Sequence, residues 1–140
     1  MIKSSLNMHK IRKGRRNNVL SAHIANGQIR FNSAIVEHCQ WNVGTRIYVE
    51  YDDEANVIRC VQATDKDNMA GVYMLKSPMT TPHMFGLYFS DISLLRYFGI
   101  SDVKGTFCVK TDVTDKHTCY IMLNLPIVLR ERKQRCRYEL

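Results

Sequence analysis

The sequence has no apolar run near the ~18 residues that a membrane-spanning helix requires. Its basic first residues, 1–16, are not followed by the apolar segment of a secretory signal. The five cysteines include no pair with C-x2-C spacing, and their odd number does not fit a complete set of disulfide bonds. These absences argue against membrane insertion, secretion and a disulfide framework. The sequence therefore predicts a cytoplasmic protein with free thiols and no contact with a membrane.

Motifs for catalysis or metal binding are also lacking. There is no glycine-rich phosphate loop, nucleophile elbow or His-x3-His pair. His117 and Cys119 supply only two ligands on one face of a predicted strand, whereas a structural zinc site needs four. His38 and Cys39 are adjacent, and adjacent helical residues point apart. We expect no cofactor, no metal and no enzyme activity, and an enzyme with an unrecognised site is the weakest alternative.

Acidic side chains form two short groups that look like turns. The run Asp52-Asp53-Glu54 lies between two predicted strands, which favours a solvated hairpin tip over a metal site. Asp112 and Asp115 repeat that placement later in the chain, which supports the same interpretation.

Acids are absent from residues 1–16, which carry six basic side chains. Residues 130–140 carry five basic and two acidic side chains, so the two ends together have a net charge of +9. Residues 17–129 hold nine basic and eleven acidic side chains, a net charge of −2. Such concentrated positive charge is typical of polyanion binding, because each neutralised phosphate releases counterions. The predicted nucleic-acid contacts are Lys10, Arg12, Lys13, Arg15, Arg16, Arg130, Arg132, Lys133, Arg135 and Arg137.

Two alternative roles for this charge stay open, namely that of solvated tails and that of attracting an acidic protein partner. Ile11 and Tyr138 lie among the basic residues and favour ordered segments over solvated tails. The leading functional prediction is a small DNA-binding regulator. The alternative is an interaction protein of a virus or mobile element that inhibits a host transcription or defence complex. Four tyrosines are candidate anchors for such an interface, although strand tyrosines more commonly pack in the fold: Tyr48, Tyr51, Tyr73 and Tyr88.

Apolar alternation and turn dipeptides predict a mainly β chain with short helices, an α+β class. Strands are predicted over 19–24, 28–31, 45–51, 57–61, 72–75, 85–89, 105–110 and 118–123. Asn26-Gly27 predicts a hairpin turn. One short helix is predicted after Asn32 or Ser33, in a segment ending at Gly44, and another over 92–98 after Ser90 or Asp91.

The same order of elements occurs twice: strand, capped short helix, Gly-Thr, strand, acidic turn, strand. Gly44-Thr45 matches Gly105-Thr106, and Cys60 falls opposite Cys119. A unit of roughly 35 residues cannot bury its apolar face alone, so two copies are expected to share a core. A chance similarity between two hairpins is the alternative. The predicted organisation is a basic arm (1–18), a first repeat (19–63), a linker with a short strand (64–83), a second repeat (84–124) and a basic C-terminal segment (125–140).

The repeated unit resembles the swapped-hairpin fold of the AbrB/MazE/SpoVT family of DNA-binding regulators. The first copy reproduces the family's glycine and apolar spacing at Gly27, Ile29, Phe31, Ile35, Cys39, Trp41, Gly44, Ile47 and Val49. The second does so more loosely at Gly86, Leu94, Phe98, Ile100, Gly105 and Val109. The resemblance covers residues 20–62 and, less closely, 84–123. It implies two tandem β-α-β-β units packed as a pseudo-dimeric swapped-hairpin barrel within one chain, and a homodimer is a further option.

The arginines that the family places against DNA are mostly replaced. Gln28, Val36 and Glu37 occupy the corresponding positions of the first copy. In the second copy Leu87 stands at the first of these positions and only Arg96 remains on the helix. The family's DNA-contact surface therefore does not transfer, and the basic ends are the better candidates for phosphate contacts.

Overall fold

The computed structural model describes residues 19–64, 71–78 and 86–127. In chain order the elements are β1 (Ser21–Ala25), β2 (Gln28–Phe31), α1 (Ser33–Cys39), β3 (Arg46–Asp52), β4 (Val57–Gln62), β5 (Tyr73–Met74), β6 (Leu87–Ser90), α2 (Ile92–Phe98), β7 (Gly105–Thr111) and β8 (Thr118–Ile127). The predicted mainly β class with two short helices is confirmed. The last strand is longer than predicted and continues to Ile127.

The eight strands form one antiparallel sheet in the order β5-β3-β4-β8-β7-β1-β2-β6. Its two edges meet beyond the end of β5, where Lys76 and Tyr88 exchange two backbone hydrogen bonds of 2.9 Å. The sheet is therefore nearly closed and resembles a barrel. Closure leaves few unpaired backbone groups at the edges, which protects a β protein from pairing with other chains.

Alternation along the strands sends every second side chain into one core. In β2, for example, Ile29 and Phe31 are buried while Arg30 is exposed. Trp41 and Phe31 pack edge to face at 5.1 Å between ring centroids, and Phe31 also contacts Phe89. Burial of large aromatic side chains supplies much of the stability of a small domain.

Both helices begin at side-chain caps that the sequence predicts. The Asn32 carboxamide oxygen accepts the amide of Ile35 at 3.1 Å, and the Asp91 carboxylate accepts the amides of Ser93 and Leu94. The prediction that Gly44 ends the first helical segment is wrong for the helix itself. α1 stops at Cys39, and the following residue takes the left-handed conformation with φ 57°. That conformation ends a helix because it directs the chain away from the axis.

The cap of α2 is tied to β5 by a hydrogen bond between two titratable groups. The Tyr73 hydroxyl donates to the Asp91 carboxylate at 2.7 Å. This bond lowers the pKa of Asp91. Burial, together with the same bond, raises the pKa of Tyr73 to about 12. The pair therefore links the edge strand of the sheet to the start of a helix.

Tyr73→Phe is expected to lower the free energy of unfolding by about 1 kcal/mol at pH 7, because it removes a hydrogen bond to a charged acceptor. A raised tyrosine pKa stabilises the fold fully below its unfolded value near 10 and loses that contribution as pH rises towards 12. The lowered pKa of Asp91 stabilises the fold above about pH 4, and this contribution is lost as the pH falls further. Urea titrations at pH 3, 7 and 11 should thus show a flatter profile for Tyr73→Phe. Tyr97→Phe, whose ring is 85% exposed, is the control and should follow the parent protein.

Within the described residues, no helix is long and apolar enough to cross a membrane.

Candidate nucleic-acid interface and an acidic groove

The ten basic residues predicted to contact nucleic acid lie outside the described residues: Lys10, Arg12, Lys13, Arg15, Arg16, Arg130, Arg132, Lys133, Arg135 and Arg137. The described residues themselves hold eight basic and nine acidic side chains, a net charge of −1. The excess positive charge of the protein is therefore carried by the parts of the chain on either side of the described sheet.

One outer face of the sheet nevertheless carries basic side chains without acids. Strand pairing places His23 opposite Arg30, Arg30 opposite Tyr88, and Tyr88 opposite Lys76. The four side chains form one row across four neighbouring segments, and strands lie about 4.8 Å apart. We call this row, His23, Arg30, Tyr88 and Lys76, the basic face. β1, β2, β5 and β6 contain no aspartate or glutamate.

Two side chains of the basic face, Arg30 and His23, make hydrogen bonds with neutral groups. The Arg30 guanidinium donates to the Gln28 carboxamide oxygen at 3.3 Å, so this bond leaves its charge uncompensated. A ring nitrogen of His23 lies 2.9 Å from the Thr106 hydroxyl. His23, Arg30 and Lys76 are exposed, and Tyr88 is half-buried between two of them. The row can therefore offer positive charge and one aromatic ring to a ligand.

The end of β8 joins this row. Thr106 pairs with His23 on one side and with Ile127 on the other. Ile127 is the last described residue, and the basic residues Arg130, Arg132 and Lys133 follow it in the sequence. The C-terminal basic segment thus starts beside the basic face.

A groove of about 890 Å³ lies over the outer face of a different group of strands, β3, β4, β8 and β7. Four acidic and two basic side chains line it: Glu50, Asp52, Asp53, Asp112, Arg59 and Lys110. Val57 and Met122 contribute apolar surface. We call it the acidic groove. Its charge is opposite in sign to that of the basic face.

A chain of polar contacts crosses the acidic groove. Glu50 and Arg59 form an ion pair across β3 and β4. Tyr120 and Glu50 both raise the pKa of Arg59 by hydrogen bonding to its guanidinium. The Tyr120 hydroxyl in turn donates to Asp112 at 2.6 Å, and this bond helps to hold the pKa of Asp112 at about 2. Asp112 therefore stays negatively charged at any physiological pH.

The acidic tips have the predicted structure. Residues 52–56 close the β3–β4 hairpin, and the Asp52 carboxylate accepts the amides of Glu54 and Ala55. The Asp112 carboxylate likewise accepts amides in the β7–β8 turn. Both groups are turn residues, as the sequence indicates, and each also lines or borders the acidic groove.

Three of the four described cysteines lie in the core, and Cys108 is half-buried. Cys39, Cys60 and Cys119 are fully buried. A hydrogen bond with Cys119, together with burial, raises the pKa of Cys39. A ring nitrogen of His117 lies 2.7 Å from the Cys39 carbonyl oxygen. Across residues 19–64, 71–78 and 86–127, no three His, Cys, Asp or Glu side chains are arranged to hold a metal ion. Buried cysteines behave as small hydrophobic side chains, so these three contribute to the packing of the core.

The four tyrosines named as candidate anchors are all half-buried. Tyr73 stacks on Phe89 with ring centroids 4.7 Å apart, and Tyr51 packs against Phe98. These two therefore help to hold the fold, whereas Tyr88 lies in the basic face. Tyr97, which is 85% exposed on α2, was not anticipated from the sequence.

Sequence reasoning also missed the basic face. Its members lie far apart in the chain, so the sequence gives no sign that they form one surface. The signal that was present is the absence of aspartate and glutamate from β1, β2, β5 and β6. Strand pairing brings them together. Searches against protein-family models, curated proteins and solved structures found no match to this chain.

Proposed function

We propose that this protein binds nucleic acid through its basic face together with its basic ends, as a small DNA-binding regulator. The observation that carries the proposal is the row of His23, Arg30, Tyr88 and Lys76 on strands without acids, continuous with the start of the C-terminal basic segment. Within the described residues these exposed cations have no carboxylate partner, and such cations keep their attraction for phosphates. A half-buried tyrosine between them offers a ring for contact with a sugar or base.

We further propose that the fold is two tandem β-α-β-β units with swapped hairpins. Support comes from the strand pairs, which are equivalent when β1–β4 are exchanged with β5–β8. β1 pairs with β2 and with β7, and the stretch containing β5 correspondingly pairs with β6 and with β3. β2 pairs with its counterpart β6, and β4 pairs with its counterpart β8. In this arrangement the β3–β4 hairpin of the first unit pairs with strands of the second, and the β7–β8 hairpin of the second pairs with strands of the first.

The proposed symmetry accounts for the position of two matched residues. Cys60 pairs directly with Cys119 in the β4–β8 ladder, as expected for residues on either side of a twofold axis. The other ladder between counterpart strands, β2–β6, has Arg30 and Tyr88 opposite each other. The basic face is then centred on the junction of the two units. In dimeric DNA-binding proteins the twofold symmetry of the protein mirrors that of the DNA site, so a surface on the axis can face the centre of the site.

The proposal predicts that neutralising the basic face weakens DNA binding more than removing a positive charge elsewhere. Arg30→Gln and Lys76→Gln should each lower the affinity for a random-sequence duplex about fivefold and reduce the salt slope by about 0.9, the loss of one phosphate contact. Lys116→Gln removes one exposed positive charge in the β7–β8 turn and serves as the matched control. Its affinity should stay within about twofold of the parent protein, as expected for a charge that makes no phosphate contact.

The measurement is fluorescence anisotropy of labelled DNA across a salt series, with the full-length protein. A variant with glutamine at Lys10, Arg12, Lys13, Arg15 and Arg16 measures the share of the N-terminal arm. Absence of binding at low salt would contradict the proposed function. Equal losses in Arg30→Gln and Lys116→Gln would contradict the placement of the interface on the basic face. A protein target, by contrast, would show little salt dependence if its contacts are desolvated.

A further inference from the structure

We propose that the acidic groove binds the basic N-terminal arm of the same chain, residues 1–16, and thereby withholds the arm from other polyanions. Four acidic and two basic side chains line the acidic groove, and Arg59 is paired with Glu50. Three acids, Asp52, Asp53 and Asp112, then remain against one cation, Lys110. The arm has six basic side chains and no acid. Opposite charges of this density attract each other strongly at moderate salt.

The arm leaves the described sheet at the rim of the acidic groove. The carbonyl of Leu20 accepts the amide of Val109 at 3.0 Å, one residue beyond the Ser21–Cys108 pair. The same register places Val19 beside Lys110, which lines the groove. The first described residue, Val19, therefore lies next to the groove.

The arm is long enough to cover the groove. An extended chain advances about 3.3 Å per residue, so the three residues from Val19 to Arg16 can span up to about 10 Å and the nine to Lys10 up to about 30 Å. The groove spans four strands, which is about 14 Å from first to last. Its floor includes Val57 and Met122, and the arm carries Ile11 among its basic residues. Charge and apolar contact can thus be satisfied together.

The C-terminal basic segment fits this groove less well. It starts after Ile127, which is beside Thr106 in the row that contains the basic face. It also carries Glu131 and Glu139, whereas the N-terminal arm has no acid. Position and charge therefore both favour the N-terminal arm as the occupant.

Docking would make the acidic groove a competitor of nucleic acid for the arm, and this consequence rests on the proposed function. The cations of the arm cannot contact groove carboxylates and phosphates at the same time. The acidic groove then competes with nucleic acid for the arm, which lowers affinity and favours longer polyanions that displace it. A ligand that supplies more phosphates than the groove has carboxylates would release the arm.

Trypsin tests the docking directly, because it cleaves after the lysines and arginines of the arm. The full-length protein is compared with Asp52→Asn/Asp53→Asn, which removes two groove charges and keeps the oxygen that caps the β3–β4 turn. Glu37→Gln/Asp102→Asn is the matched control, since both residues are exposed on other elements. Cleavage within residues 10–16, followed by mass spectrometry, should be about fivefold faster in the groove variant, the effect of two weakened surface ion pairs. The control should match the parent protein, and salt near 0.5 M should abolish the difference.

Equal cleavage rates in the parent protein and the groove variant would overturn the proposal. Protection that increases with protein concentration would also overturn it, because the occupant would then be the arm of a second copy. DNA binding by the same variants separates the two proposals. The groove variant should bind about threefold more tightly if the arm contributes phosphate contacts. Arm protection in a protein that binds no DNA would leave the docking intact and contradict the proposed function alone.

Discussion

Replacement of Trp41 by alanine should destabilise the protein by about 3–5 kcal/mol, the range observed when a large buried aromatic side chain is removed. Trp41 is 2% exposed and follows α1, where its ring meets Phe31 edge to face. Its contacts join the first helix to strand β2. Because a small domain is stable by only about 5–15 kcal/mol, this substitution removes a large fraction of the stability. Urea denaturation followed by far-UV circular dichroism measures it.

Trp41→Phe is the informative partner of this variant. Phenylalanine keeps most of the apolar volume and the edge contact with Phe31. It also removes the indole N–H, which is buried without a hydrogen-bond partner among the described residues. An unsatisfied buried donor costs about 1–3 kcal/mol, so its loss offsets part of the cavity that the smaller ring leaves. We expect Trp41→Phe to lower the free energy of unfolding by about 1 kcal/mol. A loss in Trp41→Phe as large as that in Trp41→Ala would show that the retained phenyl ring contributes little to stability.

Local sequence signals predicted the strands and caps of this fold well. Asn26-Gly27 marks the β1–β2 turn, and Asp91 caps α2 as expected. These signals act over a few residues and need no knowledge of the rest of the chain. The sequence places the end of the first helical segment at Gly44, because glycine favours the left-handed conformation that stops a helix. In the structure α1 ends at Cys39, Gln40 takes that conformation, and Gly44 lies further along the loop.

Long-range strand pairing decides the surfaces, and sequence alone carries little information about it. Arg30 and Tyr88 are 58 positions apart, and their neighbourhood exists only because β2 pairs with β6. The acidic groove likewise forms because β4 pairs with β8, which brings Arg59 beside Tyr120. The two acidic turns, which the sequence predicts separately, thereby come to lie at the same groove. The basic ends, the strongest sequence signal, lie outside the described residues and stay a prediction.

The two surfaces suggest how a protein with a net charge of +7 balances binding and release. Its described part is close to neutral, with a row of basic side chains on one face and a groove on another face that has more acidic than basic lining residues. Separation of this kind allows attraction of a polyanion on one face and of a basic segment on another. In the proposed scheme, the groove limits nonspecific binding by the arm while the basic face stays accessible.

Gly86→Ala should cost about 4 kcal/mol or more, the largest effect that we expect from a single added methyl group. A β-carbon at Gly86 would lie 1.9 Å from the carbonyl oxygen of Phe31. That carbonyl belongs to the β2–β6 ladder, where Phe31 pairs with Leu87, so it cannot withdraw without opening the ladder. The φ of +77° adds further strain for alanine.

Gly99→Ala separates the clash from the backbone strain. Gly99 has almost the same φ, +76°, but no atom lies within 4 Å of the position of its added β-carbon. Its substitution should therefore cost only about 1 kcal/mol, the penalty of a left-handed alanine. Thermal or urea unfolding of the two variants gives the difference, and equal losses would exclude a steric role for the β2–β6 junction. Because that ladder holds Arg30 beside Tyr88, Gly86→Ala should also weaken DNA binding at temperatures where Gly99→Ala binds normally.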